Sequence, residues 1–319
     1  MNAIDSSPWD WAPAGPRRLE RPLSLLHFSG PDSLRVLHGQ TSQALQEARP
    51  GDWRSTCCLT PTARLRGLAE VVVEENGAWL ALTAGDGPAL RQAFDRVLFP
   101  ADQVELGPLQ PGRWLRLVGE APSAPGSWRP LVGGGGWWLG CDLLLLAETP
   151  LPPELAEIPP LEAHEAELWR LQRGEPAWPA EINDAFNPYE LGLTDRVSLQ
   201  KGCYVGQETL AKLASSDGVK QQLRRWQAAP HPAMAGPFEP GWALQMADGA
   251  RAGQLTSGLQ QADGSWLGLA MVRRGALEET TLLARAPEGE VPVSISRPAA
   301  FRDPPTPGPS GGGGRSGRV

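Results

Sequence analysis

Eight consecutive residues, Lys201-Gly-Cys-Tyr-Val-Gly-Gln-Glu208, gather more chemistry than any other stretch of the chain. They hold a soft nucleophile, Cys203, with a cation two residues before it, Lys201. Two glycines follow, Gly202 and Gly206, and then an amide and a carboxylate, Gln207 and Glu208. A buried strand or helix fills with aliphatics instead, because an unpaired polar group taken out of water costs about 2–7 kcal/mol. A thiol reacts as the thiolate, and a nearby ammonium together with a helix N-terminus favours that form. Lys201 and a helix expected to run from Gly206 through Lys212 supply both. No histidine is close enough in sequence to make a Cys–His pair obvious, since His27, His38, His164 and His231 are scattered. A lone cysteine is as readily a small buried hydrophobe as a reactive group. The polar neighbours are what single out Cys203.

The surrounding composition sharpens this. The only lysines are Lys201, Lys212 and Lys220 and the only tyrosines Tyr189 and Tyr204, so all five fall between 189 and 220 while arginine carries positive charge elsewhere. From 195 to 225 six cations (Arg196, Lys201, Lys212, Lys220, Arg224, Arg225) face three anions (Asp195, Glu208, Asp217), a basic island on a chain of net charge -7. Such an island suits a small anionic ligand. The acidic balance of the whole argues against a broad nucleic-acid or anionic-membrane surface.

Other charged residues carry weaker signals. Gly202 and Gly206 mark a backbone that approaches a ligand or a packed element closely. Arg64, in Thr60-Pro-Thr-Ala-Arg64, and Glu181, after Trp178-Pro179, read first as solvated loop charges. Asp142 differs, because it sits in the apolar run 138–146, where an ionised carboxylate must be paired or hydrogen-bonded. One such partner is a planar amidine-like edge offering two parallel donors.

The elements that must position these residues are legible in order. With 319 residues, 41% hydrophobic and 20% charged, the chain is long enough for two or three domains. Residues 1–22 read as an irregular lead-in, 23–28 as a strand and 31–42 as a helix. Strands are expected at 53–59, 66–75 and 79–83, the last two joined by the Asn76-Gly77 hairpin signal. An amphipathic helix follows at 86–98, then strand character at 104 and 114–118. The Pro- and Gly-rich stretch 119–136 reads as a lobe junction, 137–147 as one buried strand and 161–173 as a helix stopped by Gly174. After 219–228, a strand, the Pro/Gly-rich stretch 229–241 reads as a boundary. Short strands at 242–246, 251–259, 266–273, 280–285 and 291–296 then make a small all-β module. The tail 302–319 is expected to be disordered. Four cysteines (57, 58, 141, 203) without a C-x-x-C pair make neither a disulfide framework nor a metal site, and the N-terminus lacks the apolar run of a signal peptide. A cytoplasmic compartment, no membrane span and a monomer are expected.

The octet resembles the hallmark K-G-C-Y-x-G-Q-E of the YgfZ family, folate-binding relatives of the glycine-cleavage T-protein. The likeness continues in Leu26 to Gly39 with Gln40-Thr41, similar to the opening G-x-D-x-x-x-F-L-x-G-Q-x-T, and in Leu59 to Arg64, similar to L-x-P-x-G-R. It extends through Arg173-Gly-Glu-Pro176, Glu181-Ile182, Pro188 to Leu193, Val219-Lys220, Gly253 to Ser257 and Gly268 to Arg274, so that it covers roughly 23–303. The resemblance implies an α+β, GcvT/YgfZ-like architecture. Two related lobes, 23–118 and 119–230, and a C-terminal β-barrel, 231–301, surround a central funnel that binds tetrahydrofolate or a derivative. It implies a role in assembly or repair of iron–sulfur enzymes, including tRNA-modifying ones, with those enzymes or assembly proteins as partners. Cys203 and Lys201 are the implied reactive pair, in a redox or one-carbon role. Gly202, Tyr204, Gly206, Gln207 and Glu208 are implied at the funnel, with Arg64 and Glu181 on matching positions nearby and Asp142 loosely matching the T-protein's pterin-binding glutamate.

One departure limits the transfer. Where the T-protein has an Asp-Asp pair, one of them catalytic, this chain has Ala69-Glu70, and displacement of a carboxylate by an ångström can cost about 100-fold in rate. Folate binding without aminomethyl transfer is therefore expected. The alternatives are a true one-carbon-transfer enzyme using Glu70 and a non-enzymatic docking module.

Overall fold

The computed structural model describes residues 7–119 and 125–306. The first half comprises β1 (Arg18–Ser29), α1 (Ser33–Gln40), β2 (Trp53–Leu59), β3 (Leu65–Glu74), β4 (Gly77–Gly85), α2 (Gly87–Asp95), β5 (Glu105–Leu106) and β6 (Gln110–Leu117). It continues with β7 (Arg129–Pro130), β8 (Gly136–Leu139), β9 (Asp142–Leu146), the single turn α3 (Pro153–Ala156), α4 (Ala163–Arg173) and α5 (Gln207–Ser215). The last segment is β10 (Gln221–Ala228), β11 (Ala243–Gln245), β12 (Arg251–Gln260), β13 (Trp266–Arg273), β14 (Thr281–Ala286) and β15 (Gly289–Ser296).

Strands β1 to β9 form one curled sheet in the order β2-β3-β4-β1-β6-β9-β8-β7, with β5 pairing to β1. Strand alternation gives it two faces. Leu26 and Phe28 of β1, Val71 and Val73 of β3 and Leu80 of β4 pack under α1 and α2, which contribute Val36, Leu37, Leu90 and Phe94. The opposite face carries the polar groups. Ser55 lies across from Glu70, Arg21 from Trp114 and Arg116 from Asp142. The segments expected as two lobes, meeting at 118/119, share this sheet through the β6–β9 pairing.

Two expectations change where local pattern met long-range pairing. The run 137–147 is a hairpin, not one strand, because Gly140 takes φ +65° and turns β8 back along β9. Asp142 thereby starts β9 opposite Arg116. The strand read at 219–228 is not the end of the preceding lobe. As β10 it pairs with β13 and β15 and opens the closed barrel β10-β13-β12-β11-β14-β15. The Pro/Gly-rich stretch that reads as a boundary is a connection within that barrel, and its Met234 and Phe238 pack on the barrel core.

At the ends of the chain, β1 starts at Arg18, inside the expected lead-in, and Trp9 packs on the central core. Phe301 is buried, and Arg302 N–H donates to Gly192 O at 3.0 Å. Of the tail expected to be disordered, 307–319 lies outside the described residues, as do 1–6 and 120–124. The central core joins all three segments: Leu59 and Leu65 from the sheet, Tyr189, Tyr204 and Leu210 from the middle, and Leu269, Met271 and Phe301 from the barrel and its exit. No helix among the described residues is long and apolar enough to cross a membrane.

Candidate functional site

The signature octet forms the turn that enters α5. Gly206 caps that helix with φ +84°, and a Cβ there would stand 3.0 Å from both Ala63 Cα and Thr60 O. Only glycine satisfies the backbone angle and the approach together. Ala63 itself adopts φ +60°, so two tight turns, Thr60 to Arg64 and Gly202 to Gly206, press backbone against backbone. Val205 N–H donates to Gly39 O at 3.0 Å, and Tyr204 turns inward to the central core. Between these anchors Gly202 has φ +86° with open space where a Cβ would be, and Cys203 is exposed. Gln207 is half-buried and Glu208 exposed at the first turn of α5.

Lys201 is turned inward. Its ammonium donates to the carbonyl oxygens of His38, of Thr41 at 2.7 Å and of Gln43 at 2.8 Å. Its Nζ lies 4.5 Å from the centre of the Tyr204 ring. Those three carbonyls, rather than the Cys203 thiol, take its hydrogens. Burial pushes the Lys201 pKa down to about 7, against carbonyl dipoles that favour the charged form. The carbonyl of Lys201 accepts in turn from His38 Nε2 at 2.7 Å. The other ring nitrogen, Nδ1, accepts from the backbone N–H groups of Leu45 at 3.1 Å and Gln46 at 3.0 Å. A nitrogen that accepts two N–H bonds carries no proton, so His38 is neutral with its hydrogen on Nε2. Burial first, then the Lys201 charge, lower its pKa.

A hollow of about 370 Å³ lies beside this turn, lined by Leu199 and Gln200 of the octet's approach and by Gln43, Tyr189, Asp195 and Pro305. Ligand sites commonly occupy about 300–1,000 Å³. The hydroxyl of fully buried Tyr189 has no hydrogen-bond partner in the structure. A larger cleft of about 1240 Å³, between segments 109–111, 129–138 and 146–154, contains none of the residues singled out from the sequence.

The remaining candidates are dispersed. Arg64 stands near the octet on the Thr60–Arg64 turn, donating to Ala185 O at 2.7 Å, with its Nη1 3.5 Å from Glu190. Glu181 is fully buried at the joint with the barrel. It accepts from Ser257 Oγ at 2.6 Å and Ala177 N–H at 2.9 Å, with Arg170 at 3.5 Å. Both oxygens of Asp142 accept from Arg116 at 2.5 Å, and that guanidinium also stacks over Trp114 and Trp169. Glu70 is engaged too, by Ser55 Oγ at 2.6 Å and Arg196 at 2.9 Å. The basic island is thus not an open patch. Arg196, Lys201 and Arg225 bond within the protein and Arg224 is buried, leaving Lys212 and Lys220 exposed. Among the described residues no cluster of three or more His, Cys, Asp or Glu could hold a metal ion.

Sequence reasoning passed over His38, Asp195 and Tyr189. The first lies 163 positions from its partner Lys201, and nothing local announces the pairing. The second and third stand in the basic, tyrosine-bearing stretch that composition did mark.

Comparison with known proteins places these features in context. Residues 225–303 match the family model described as CAF17, C-terminal beta-barrel domain. Over 289 residues the chain is 28% identical to an Arabidopsis thaliana protein named "Putative transferase, chloroplastic"; the match covers 80% of this chain and 65% of that relative's length. The crystal structure of glycine cleavage system aminomethyltransferase T from Bartonella henselae shares the fold, with a TM-score of 0.69 and 16% identity over 91% of this chain and 88% of that one.

Proposed function

We propose that this chain, which has a GcvT-like fold and a segment matching the CAF17 C-terminal barrel model, is a YgfZ-type protein that binds tetrahydrofolate or a derivative and supports iron–sulfur cluster assembly or repair in client enzymes. The observation that carries this reading is the exposed Cys203, on the turn that follows the Leu199–Gln200 wall of a hollow of ligand size. The residues present fit such a ligand. Asp195 offers a carboxylate and Gln43 and Gln200 amides around a space of about 370 Å³. The pterin of a folate supplies a flat ring with donors and acceptors on its edge, and the anionic glutamate tail of the folate suits exposed cations such as Lys212 and Lys220. Exposure lets a client protein reach the thiol, whose reactive form is the thiolate.

Aminomethyl transfer is the weaker reading. The carboxylate at the Ala69-Glu70 position is engaged by Ser55 and Arg196, so it is not free to act as a base on a bound ligand.

Isothermal titration with tetrahydrofolate is the direct test, with saturable binding expected and none overturning the ligand assignment. In a strain lacking the gene, Cys203→Ala is expected to leave iron–sulfur enzyme activity unrestored although the protein folds and binds folate. Full restoration by that variant would remove Cys203 from the mechanism.

A further inference from the structure

We infer that His38 is a positioning residue for Cys203: with Lys201 it forms a reciprocal lock that holds the Gly202–Cys203 turn only while its imidazole is neutral and protonated on Nε2. The inference rests on the role proposed for Cys203.

The geometry is mutual. The side chain of Lys201 bonds the backbone carbonyl of His38, and the side chain of His38 bonds the backbone carbonyl of Lys201. Each residue therefore closes the other's backbone, fastening the last turn of α1 to the first residue of the octet. The lock reaches further on both sides. Lys201 also ties down Thr41 and Gln43, while His38 Nδ1 gathers the N–H groups of Leu45 and Gln46. One residue beyond this anchor come Gly202, with φ +86° and open space where a Cβ would be, and then Cys203, exposed. The Gly202–Cys203 segment, held on one side by this lock and on the other by Tyr204 in the core and Val205 on Gly39, takes its orientation from what holds its ends.

Protonation breaks the arrangement at a definable atom. A proton on Nδ1 would point at two N–H donors and convert two acceptances into repulsions. The groups facing the ring oppose one another. The Lys201 ammonium disfavours a second positive charge, and Glu47, from the loop after α1, favours it. Arg35, a turn earlier on α1, is directed onto Asp32 and Asp102 and is not part of the lock.

The test uses the full chain and needs neither folate nor a client, so it can fail while the proposed function stands, and the reverse. Nitrogen-15 shifts of His38 in the unmodified protein should show an unprotonated Nδ1 at neutral pH and a titration below the ordinary histidine value. As pH falls below the ordinary histidine value of 6.5, backbone exchange at Leu45 and Gln46, corrected for its intrinsic pH dependence, should accelerate by roughly fivefold or more. The alkylation rate of Cys203 by iodoacetamide, corrected for thiolate fraction, should step at the same midpoint. His38→Gln keeps a donor toward Lys201 O but cannot titrate, and is expected to abolish the step. A protonated Nδ1 at neutral pH, exchange that ignores the His38 midpoint, or a step that persists in His38→Gln would overturn the lock.

Discussion

Cys203 is uncovered, whereas several of the other singled-out side chains are engaged within the protein. Lys201 bonds three carbonyls, Glu181 bonds Ser257 and Ala177, and both oxygens of Asp142 face Arg116. For Asp142 this leads to a test. Arg116→Leu alone strands a buried carboxylate and is expected to cost about 3–5 kcal/mol in urea unfolding, whereas Arg116→Leu with Asp142→Leu should recover most of that loss. Asp142→Asn is expected to leave tetrahydrofolate affinity within about twofold, since the carboxylate already has its partner. A tenfold loss of affinity would return Asp142 to the ligand site.

At the scale of elements, the site depends on two turns meeting. Gly206→Ala adds a Cβ 3.0 Å from Ala63 Cα and Thr60 O, at φ +84°. Neither backbone can yield without disturbing the other. A loss of about 2–4 kcal/mol is expected in thermal or urea denaturation, combining the strained backbone angle with the clash. Gly202→Ala meets no neighbour, so it should cost only the strain of φ +86°, about 1 kcal/mol. The ratio of the two effects checks the packing directly. The hairpin at Gly140 belongs to the same scale. It brings Asp142 into register with Arg116, which a single strand over 137–147 would not do.

Across the whole molecule, charged clusters fasten segments that the sequence keeps apart. Glu181 joins the middle segment to Ser257 of the barrel, and Glu181→Ala should cost about 2–4 kcal/mol by removing the acceptor for Ser257 and a neighbour of Arg170. On the inner face of the sheet, burial would raise the Glu175 pKa, but Arg21, Arg173 and Arg116 overcome this and hold it at about 2, below its ordinary 4.5. A depressed carboxyl stabilises the fold fully above its unfolded value and less as protons return. Stability is therefore expected to fall as pH drops from 4.5 through about 2. Chemical denaturation across that window should show a shallower acid loss for Glu175→Gln than for the unmodified chain.

Element identity was legible in the sequence because it is local. The Asn76-Gly77 hairpin, the helix stopped by Gly174 and the five barrel strands after 241 all appear where periodicity and turn residues put them. The octet was equally legible, since its residue types are unusual together whatever surrounds them. Partnership was not. Lys201 reads as an activator of Cys203 from two residues away, yet its hydrogens go to carbonyls about 160 positions earlier. Asp142 reads as a buried carboxylate that must have a partner, with a ligand's two-donor edge as one candidate, and the hairpin gives it Arg116 instead. Hydrogen bonds and ion pairs are satisfied by whichever group folding brings within about 3 Å. Chain order alone therefore named the groups able to do chemistry, and the folded molecule determined which of them remained free to do it.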